Sequence, residues 1–208
     1  MNRGAFVGAQ PEPTELAAPP EEAQILDVRP IEAFAAGHHS GALSVPVAGT
    51  RFSTKAAFVL DLRSIVIAAA NEDEVALATR GLHSVGHLDI AGYVLGGGPE
   101  PLELVSIEQL DALLAAGAEL IDVREKDERD SGYIAGSRNI PYRLLALGET
   151  DLPRDKQIVT ICETGPRAAI AASILAAHGF DAHPVVNGGI DSWVAAGRPT
   201  VEFRRCGS

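Results

Sequence analysis

The sequence predicts an α/β fold of two tandem domains, each a parallel sheet flanked by helices. Three observations carry that expectation. The 208 residues suffice for two domains of about 100 residues each. The chain contains itself twice. Within each copy, short Val- and Ile-rich runs alternate with stretches of helical periodicity, which is how a parallel sheet covered by helices reads.

The duplication is the strongest of the three. Ile25-Leu26-Asp27-Val28-Arg29 returns as Leu120-Ile121-Asp122-Val123-Arg124. Gly37, Gly41 and Pro46 return at the same offset as Gly132, Gly136 and Pro141. Ile65-Val66-Ile67 returns as Ile158-Val159-Thr160, and Val94-Leu95-Gly96-Gly97 as Val186-Asn187-Gly188-Gly189. The last two offsets are slightly shorter, as small loop changes require.

Residues 1–20, with Pro11, Pro13, Pro19 and Pro20 among Ala and Glu, read as an extended leader. Residues 21–98 form the first domain, 99–203 the second and 204–208 a tail. Gly97-Gly98-Pro99-Glu100-Pro101 is the linker, since its prolines stop both helices and central strands. In the second copy, Leu120–Val123 and Gln157–Ile161 suit strands buried on both faces. Ser106-Ile107-Glu108-Gln109 is a capping box that predicts a helix through Leu110, Leu113 and Leu114, ending near Gly117. Ala168–His178 predicts another, with Gly179 after its end. The first copy has too few residues between Pro20 and Asp27 for a matching first helix, which is expected to be short, displaced or absent. That shortfall also fits a chain cut from something longer.

Composition narrows the function. The net charge of −11 is divided almost evenly, −5 over residues 1–98 and −6 over 99–208. No basic stripe suits nucleic acid or a membrane surface, so neither is expected as a partner. Any anionic substrate must be held by local donors. Two cysteines, Cys162 and Cys206, build no disulfide framework, and the N-terminus lacks the apolar core of a signal peptide. A cytoplasmic protein is expected.

The chemistry is concentrated in Thr160-Ile161-Cys162-Glu163-Thr164-Gly165-Pro166-Arg167-Ala168. A strand ends at Cys162, four residues follow, and Arg167 opens a helix. Backbone N–H groups at a helix N-terminus lack intrahelical partners and favour an anion among them. A cysteine there is a nucleophile whose thiolate is stabilised. Glu163, Thr164, Gly165, Pro166 and Arg167 make the candidate substrate-binding cradle. Gly165 supplies backbone freedom, Pro166 removes one donor, and Arg167 either braces the loop or holds an incoming anion. Glu163 adds a carboxylate at the mouth, which would disfavour a dianionic guest. A lone cysteine after a buried strand is usually a small core residue. The Gly and Arg spacing at a strand-to-helix junction argues for chemistry here.

These residues resemble the rhodanese family. The resemblance rests on Asp122-Val123-Arg124, on Gly132-Tyr133-Ile134-Ala135-Gly136-Ser137 with Asn139-Ile140-Pro141, and on the Cys162–Arg167 loop. It continues through Gly188-Gly189-Ile190-Asp191-Ser192-Trp193 to Gly197-Arg198-Pro199. It covers essentially residues 22–200 as two tandem domains; Tyr133 stands where the family more often has His. It implies a five-stranded parallel sheet per domain and a sulfurtransferase that carries sulfur as a persulfide on Cys162. A small-molecule sulfur donor and a thiol acceptor are implied, without a cofactor. In the first copy Ala69 falls opposite Cys162 and Glu74 opposite Arg167, so that domain is expected to be inactive. Related phosphatases and arsenate reductases have five residues between Cys and Arg, and the four found here favour sulfur. The alternative is a non-catalytic adaptor or sulfur-handling module of a larger persulfide-oxidising system, with a protein partner or a fused metallo-β-lactamase-like domain.

Other features have plainer explanations. His83 and His87 share helical ligand spacing, but Gly86 interrupts the helix and no third ligand is near, so no metal is expected. Trp193 reads as a packing anchor of the last helix. Asp122 and Arg124 tie the sheet end to neighbouring loops. Cys206 is either a frayed terminal residue or a resolving thiol.

Overall fold

Strand β1 (Gln24–Asp27) and its repeat β5 (Glu119–Asp122) each lie at the centre of a parallel sheet. Both are short apolar runs closed by a buried aspartate. A computed structural model describes residues 11–148 and 150–202. In the first copy α1 (Ile31–Ala36), β2 (Leu43–Ser44), α2 (Phe52–Val59), β3 (Ile65–Ala69), α3 (Glu72–Ser84) and β4 (Ile90–Leu95) follow β1. The second copy begins with α4 (Leu110–Ala115) before β5. It continues with α5 (Lys126–Asp130), β6 (Arg138–Asn139), α6 (Tyr142–Leu145), β7 (Ile158–Ile161), α7 (Pro166–Ala177), β8 (Ala182–Pro184) and α8 (Ile190–Ala195).

Strand order is β2-β1-β3-β4 in one sheet and β6-β5-β7-β8 in the other. The duplication therefore extends to topology and register, with Asp27 opposite Ala68 just as Asp122 is opposite Ile161. That register places Ala69 where the second copy has Cys162. The fifth strand expected on each sheet is reduced to a single parallel bridge at the edge, Glu15 to Tyr93 and Val105 to Val185. Part of the proline-rich leader thus pairs with the first sheet: Tyr93 N–H donates to Thr14 O and Leu16 N–H to Tyr93 O. Prolines on either side stop the pairing from spreading.

Two local expectations shift. The helix expected from Ser106 becomes regular only at Leu110, although Gln109 Oε1 does accept the Ser106 N–H at 2.8 Å. No helix precedes β1 among the described residues. The linker is also not free: Glu100 forms an antiparallel bridge with His38. A side chain on Gly97 would lie 2.0 Å from Gly37 O, so only glycine permits that approach.

The two copies share one apolar core. Leu26, Val45 and Phe52 of the first belong to the same buried cluster as Tyr142, Ile170 and Ile174 of the second. Helix α7 packs against β2, the edge strand of the first sheet. There Ser173 Oγ accepts the Ser44 N–H at 2.9 Å and donates to Ile170 O at 2.8 Å. An edge-strand donor buried in the interface is thereby satisfied by a side chain of the other copy. Ser173→Ala should lower stability by about 1–2 kcal/mol, because it strands that donor. Urea unfolding of the two proteins measures the difference.

Candidate functional site

The site is built where β7 runs into α7. Cys162 follows the last strand residue, Gly165 caps the helix with φ 114°, and Pro166 occupies the first helical turn, where a missing N–H is harmless. Thr160 Oγ1 donates to Ala168 O at 2.9 Å and ties the strand to the helix start. Cys162 is 1% exposed. The Gly165 N–H donates to its Sγ at 3.1 Å.

The loop keeps this shape because another segment holds it from behind. The Ile190 N–H donates to Cys162 O at 2.9 Å, and the Asp191 N–H to Glu163 O at 3.3 Å. The amides at the start of α8, which lack intrahelical partners, thus fix these two carbonyls. Close approach makes it work. A Cβ on Gly189 would lie 2.3 Å from both carbonyl oxygens. Asn187, before the glycines, takes a left-handed conformation at φ 53°, which Asn tolerates better than most residues.

Arg167 braces the loop. Its Nη1 and Nη2 each lie 2.6 Å from the Glu128 carboxylate, a two-pronged pair across to α5. The hydrogen bond from Arg167 holds the Glu128 carboxyl below its ordinary value, against the opposing effect of burial. Glu128 Oε2 also accepts the Glu125 N–H at 3.2 Å. Of the two roles open to Arg167, the pair with Glu128 is the one this geometry provides for.

Glu163 does not line the cavity that Thr164, Gly165 and Pro166 share. It turns to a cleft lined also by Arg124, Ser131 and Asp191, with its carboxylate 3.7 Å from Arg124 Nη1. Burial, then the hydrogen bond and charge of Asp191, raise its pKa. The Glu163 carboxylate also lies 4.0 Å from Arg167 Nη2. Thr164, Gly165 and Pro166 line a separate cavity of ≈ 170 Å³. Its opposite wall comes from the first copy and includes Ile31, Pro46 and Lys55.

Asp122 and Arg124 support the sheet end as expected. Arg124 Nη2 reaches Asp122 Oδ2 and Gly132 O, both at 2.7 Å. Arg29 makes the same contacts with Asp27 and Gly37 in the first copy. There the counterpart of the Cys162 loop is closed on itself. Glu74 Oε2 accepts the Ala70 N–H at 2.9 Å, and Asn71 Oδ1 accepts the Glu74 N–H at 3.0 Å. A carboxylate of the chain thus takes a loop amide in place of a guest anion. Helix α3 starts one residue earlier than the repeat offset implies, so Asp73, not Glu74, matches Arg167 by position in the helix.

Among the described residues no cluster of His, Cys, Asp and Glu suits a metal ion. No described helix is long and apolar enough to cross a membrane. Trp193 is buried, and its Nε1 donates to Pro199 O at 2.9 Å. Cys206 lies outside the described residues. Sequence reasoning missed Glu128, whose signal was weak, and Lys55, for which the sequence held none.

A parallel α/β domain with a cysteine loop between strand and helix, backed by a Gly-Gly turn, defines the fold class of this chain. Residues 106–196 match the rhodanese-like domain family. The chain belongs to that family. It is 35% identical over 88 residues to the thiosulfate sulfurtransferase GlpE of Pseudomonas syringae, covering 41% of this chain and 81% of that protein. It is 36% identical over 76 residues to YqhL of Bacillus subtilis, covering 36% of this chain and 60% of that protein's length. A rhodanese-related protein of Thermoplasma volcanium matches in structure with TM-score 0.45 and 36% identity, over 49% of this chain and 99% of that one. The names of such relatives support a general rhodanese sulfurtransferase role.

Two substitutions test the bracing. Gly189→Ala should cost at least about 2 kcal/mol, because its methyl meets two backbone oxygens; thermal unfolding measures this. Glu128 sits below its ordinary value of 4.5 in the folded protein. Its contribution is therefore complete above that pH and is lost as pH falls through the folded value. The stability gap between the wild type and Glu128→Gln should accordingly narrow below about pH 4.5, as acid titration of the two proteins would show.

Proposed function

We propose that the protein is a sulfurtransferase that carries sulfane sulfur on Cys162, with the first copy non-catalytic. One observation carries this reading: the Cys162 Sγ accepts the Gly165 N–H at the head of α7, while the first amides of α8 bind the carbonyls of Cys162 and Glu163. Such a cradle stabilises negative charge on sulfur, whether thiolate or persulfide.

The reaction is a double displacement. The Cys162 thiolate attacks the outer sulfur of a donor such as thiosulfate or a low-molecular-weight persulfide. The donor's S–S bond breaks, its electron pair leaves with sulfite or a thiolate, and Cys162 becomes a persulfide. An acceptor thiolate, or cyanide in the test tube, then attacks the outer sulfur and releases the Cys162 thiolate. Electrons and charge balance in each half without a cofactor. Thr164, Gly165 and Pro166 form the wall against which the donor rests, and Arg167 holds that wall in place through Glu128. A reducing, cytoplasmic compartment suits a cysteine that must return to the thiolate in each cycle.

Incubation with thiosulfate, and separately with glutathione persulfide, should add one sulfur to the peptide containing Cys162. Cys162→Ser should abolish that gain and reduce thiosulfate:cyanide transfer at least about a thousandfold. No gain with either donor in the folded wild type would overturn the catalytic reading and leave the adaptor.

A further inference from the structure

The cavity beside the Cys162 loop belongs to both copies. On one side are Thr164, Gly165 and Pro166; on the other, Ile31 and Pro46 give an apolar wall. Among the residues lining it, Lys55 alone carries a charge. Lys55 is half-buried on α2, in the copy without a nucleophile.

Three observations set Lys55 apart from the other cations around the Cys162 loop. Arg167 is committed to Glu128, and Arg124 to Asp122. Among the described residues Lys55 forms no ion pair, and the charge of Cys162 acts on it together with those of Arg167 and Arg51. Burial lowers its pKa from the ordinary value, while the Cys162 thiolate opposes that shift. A partly desolvated ammonium without a carboxylate partner, beside an apolar wall, is a site for an anionic group attached to carbon. At ≈ 170 Å³ the cavity is smaller than the range of about 300–1,000 Å³ typical for drug-sized ligands.

We propose that Lys55 recognises the anionic group of the sulfur donor, so that the first copy supplies substrate selection to the cysteine of the second. The donor class is a small monoanionic sulfane-sulfur compound with an apolar body, of which methanethiosulfonate is the probe. This deepens the sulfurtransferase reading and rests on it for the identity of the transferred atom. In the step, the Cys162 thiolate attacks the terminal sulfur of methanethiosulfonate. The bond between the two sulfur atoms breaks, and methanesulfinate leaves with the electron pair. Two negative charges enter and two leave. Lys55 faces the anionic sulfonyl end, where the leaving charge collects.

Anion recognition is measured apart from sulfur transfer by alkylating Cys162 in the full chain with iodoacetate and with neutral iodoacetamide. Peptide mass assigns the label to Cys162 and separates it from Cys206. The ratio of the two rates cancels any change in thiolate content. Lys55→Gln should lower the iodoacetate-to-iodoacetamide ratio about tenfold, and Lys55→Arg should restore most of it. Sulfur labelling of Cys162 by methanethiosulfonate should slow in Lys55→Gln by a similar factor. An unchanged alkylation ratio in Lys55→Gln, or failure of Lys55→Arg to restore a lowered one, would overturn the role of Lys55. If the ratio falls as expected but the wild type gains no sulfur from any donor, the anion site stands and the sulfurtransferase reading fails.

Discussion

The site depends on one backbone constraint: the carbonyls of Cys162 and Glu163 are held by the start of α8. Helix α8 achieves this with its first amides, which need partners in any case. The arrangement requires two backbones to approach more closely than any side chain would allow, and Gly189 lies at that contact. With the carbonyls fixed, the Gly165 amide is left to face Cys162 Sγ. Arg167 and Glu128 then hold the loop from the side. Residues more than twenty positions after the cysteine thus decide the environment of its sulfur.

The duplication repeated the frame and not the chemistry. Asp27–Arg29 and Asp122–Arg124 make the same buried pair and reach the same glycine carbonyl eight residues after the arginine. The pair lies at the end of each central strand and ties it to the following glycine carbonyl, so both copies retain the sheet. Where the loops differ, the first closes around Glu74 and the second leaves its amide to the cysteine. The first copy keeps a structural part nonetheless. Its edge strand is capped by Ser173, its core continues into α7, and it provides one wall of the cavity beside the cysteine loop.

Several features were legible in the sequence because they depend on local or periodic patterns. The repeat, the strand ends at Asp27 and Asp122, the helix after Gly165 and the match of Ala69 to Cys162 all follow from residue spacing. The position of Glu163 was not legible. Its carboxylate faces Arg124, thirty-nine positions earlier, in a cleft apart from the cavity that Thr164, Gly165 and Pro166 line. The partner of Arg167 was hidden for the same reason, since α5 is brought to α7 only by the packed sheet.

The sequence by itself determined that two parallel α/β units are joined in tandem, that one carries a cysteine at a strand-to-helix junction, and that the other does not. Strand and helix periodicity, turn residues and internal repetition all act over short distances along the chain. Only the tertiary structure decided which groups surround that cysteine. The Gly189 contact, the Arg167–Glu128 pair and the cavity that Lys55 shares with Thr164, Gly165 and Pro166 join residues distant in sequence, and packing of the two copies around a shared core is what brings them together.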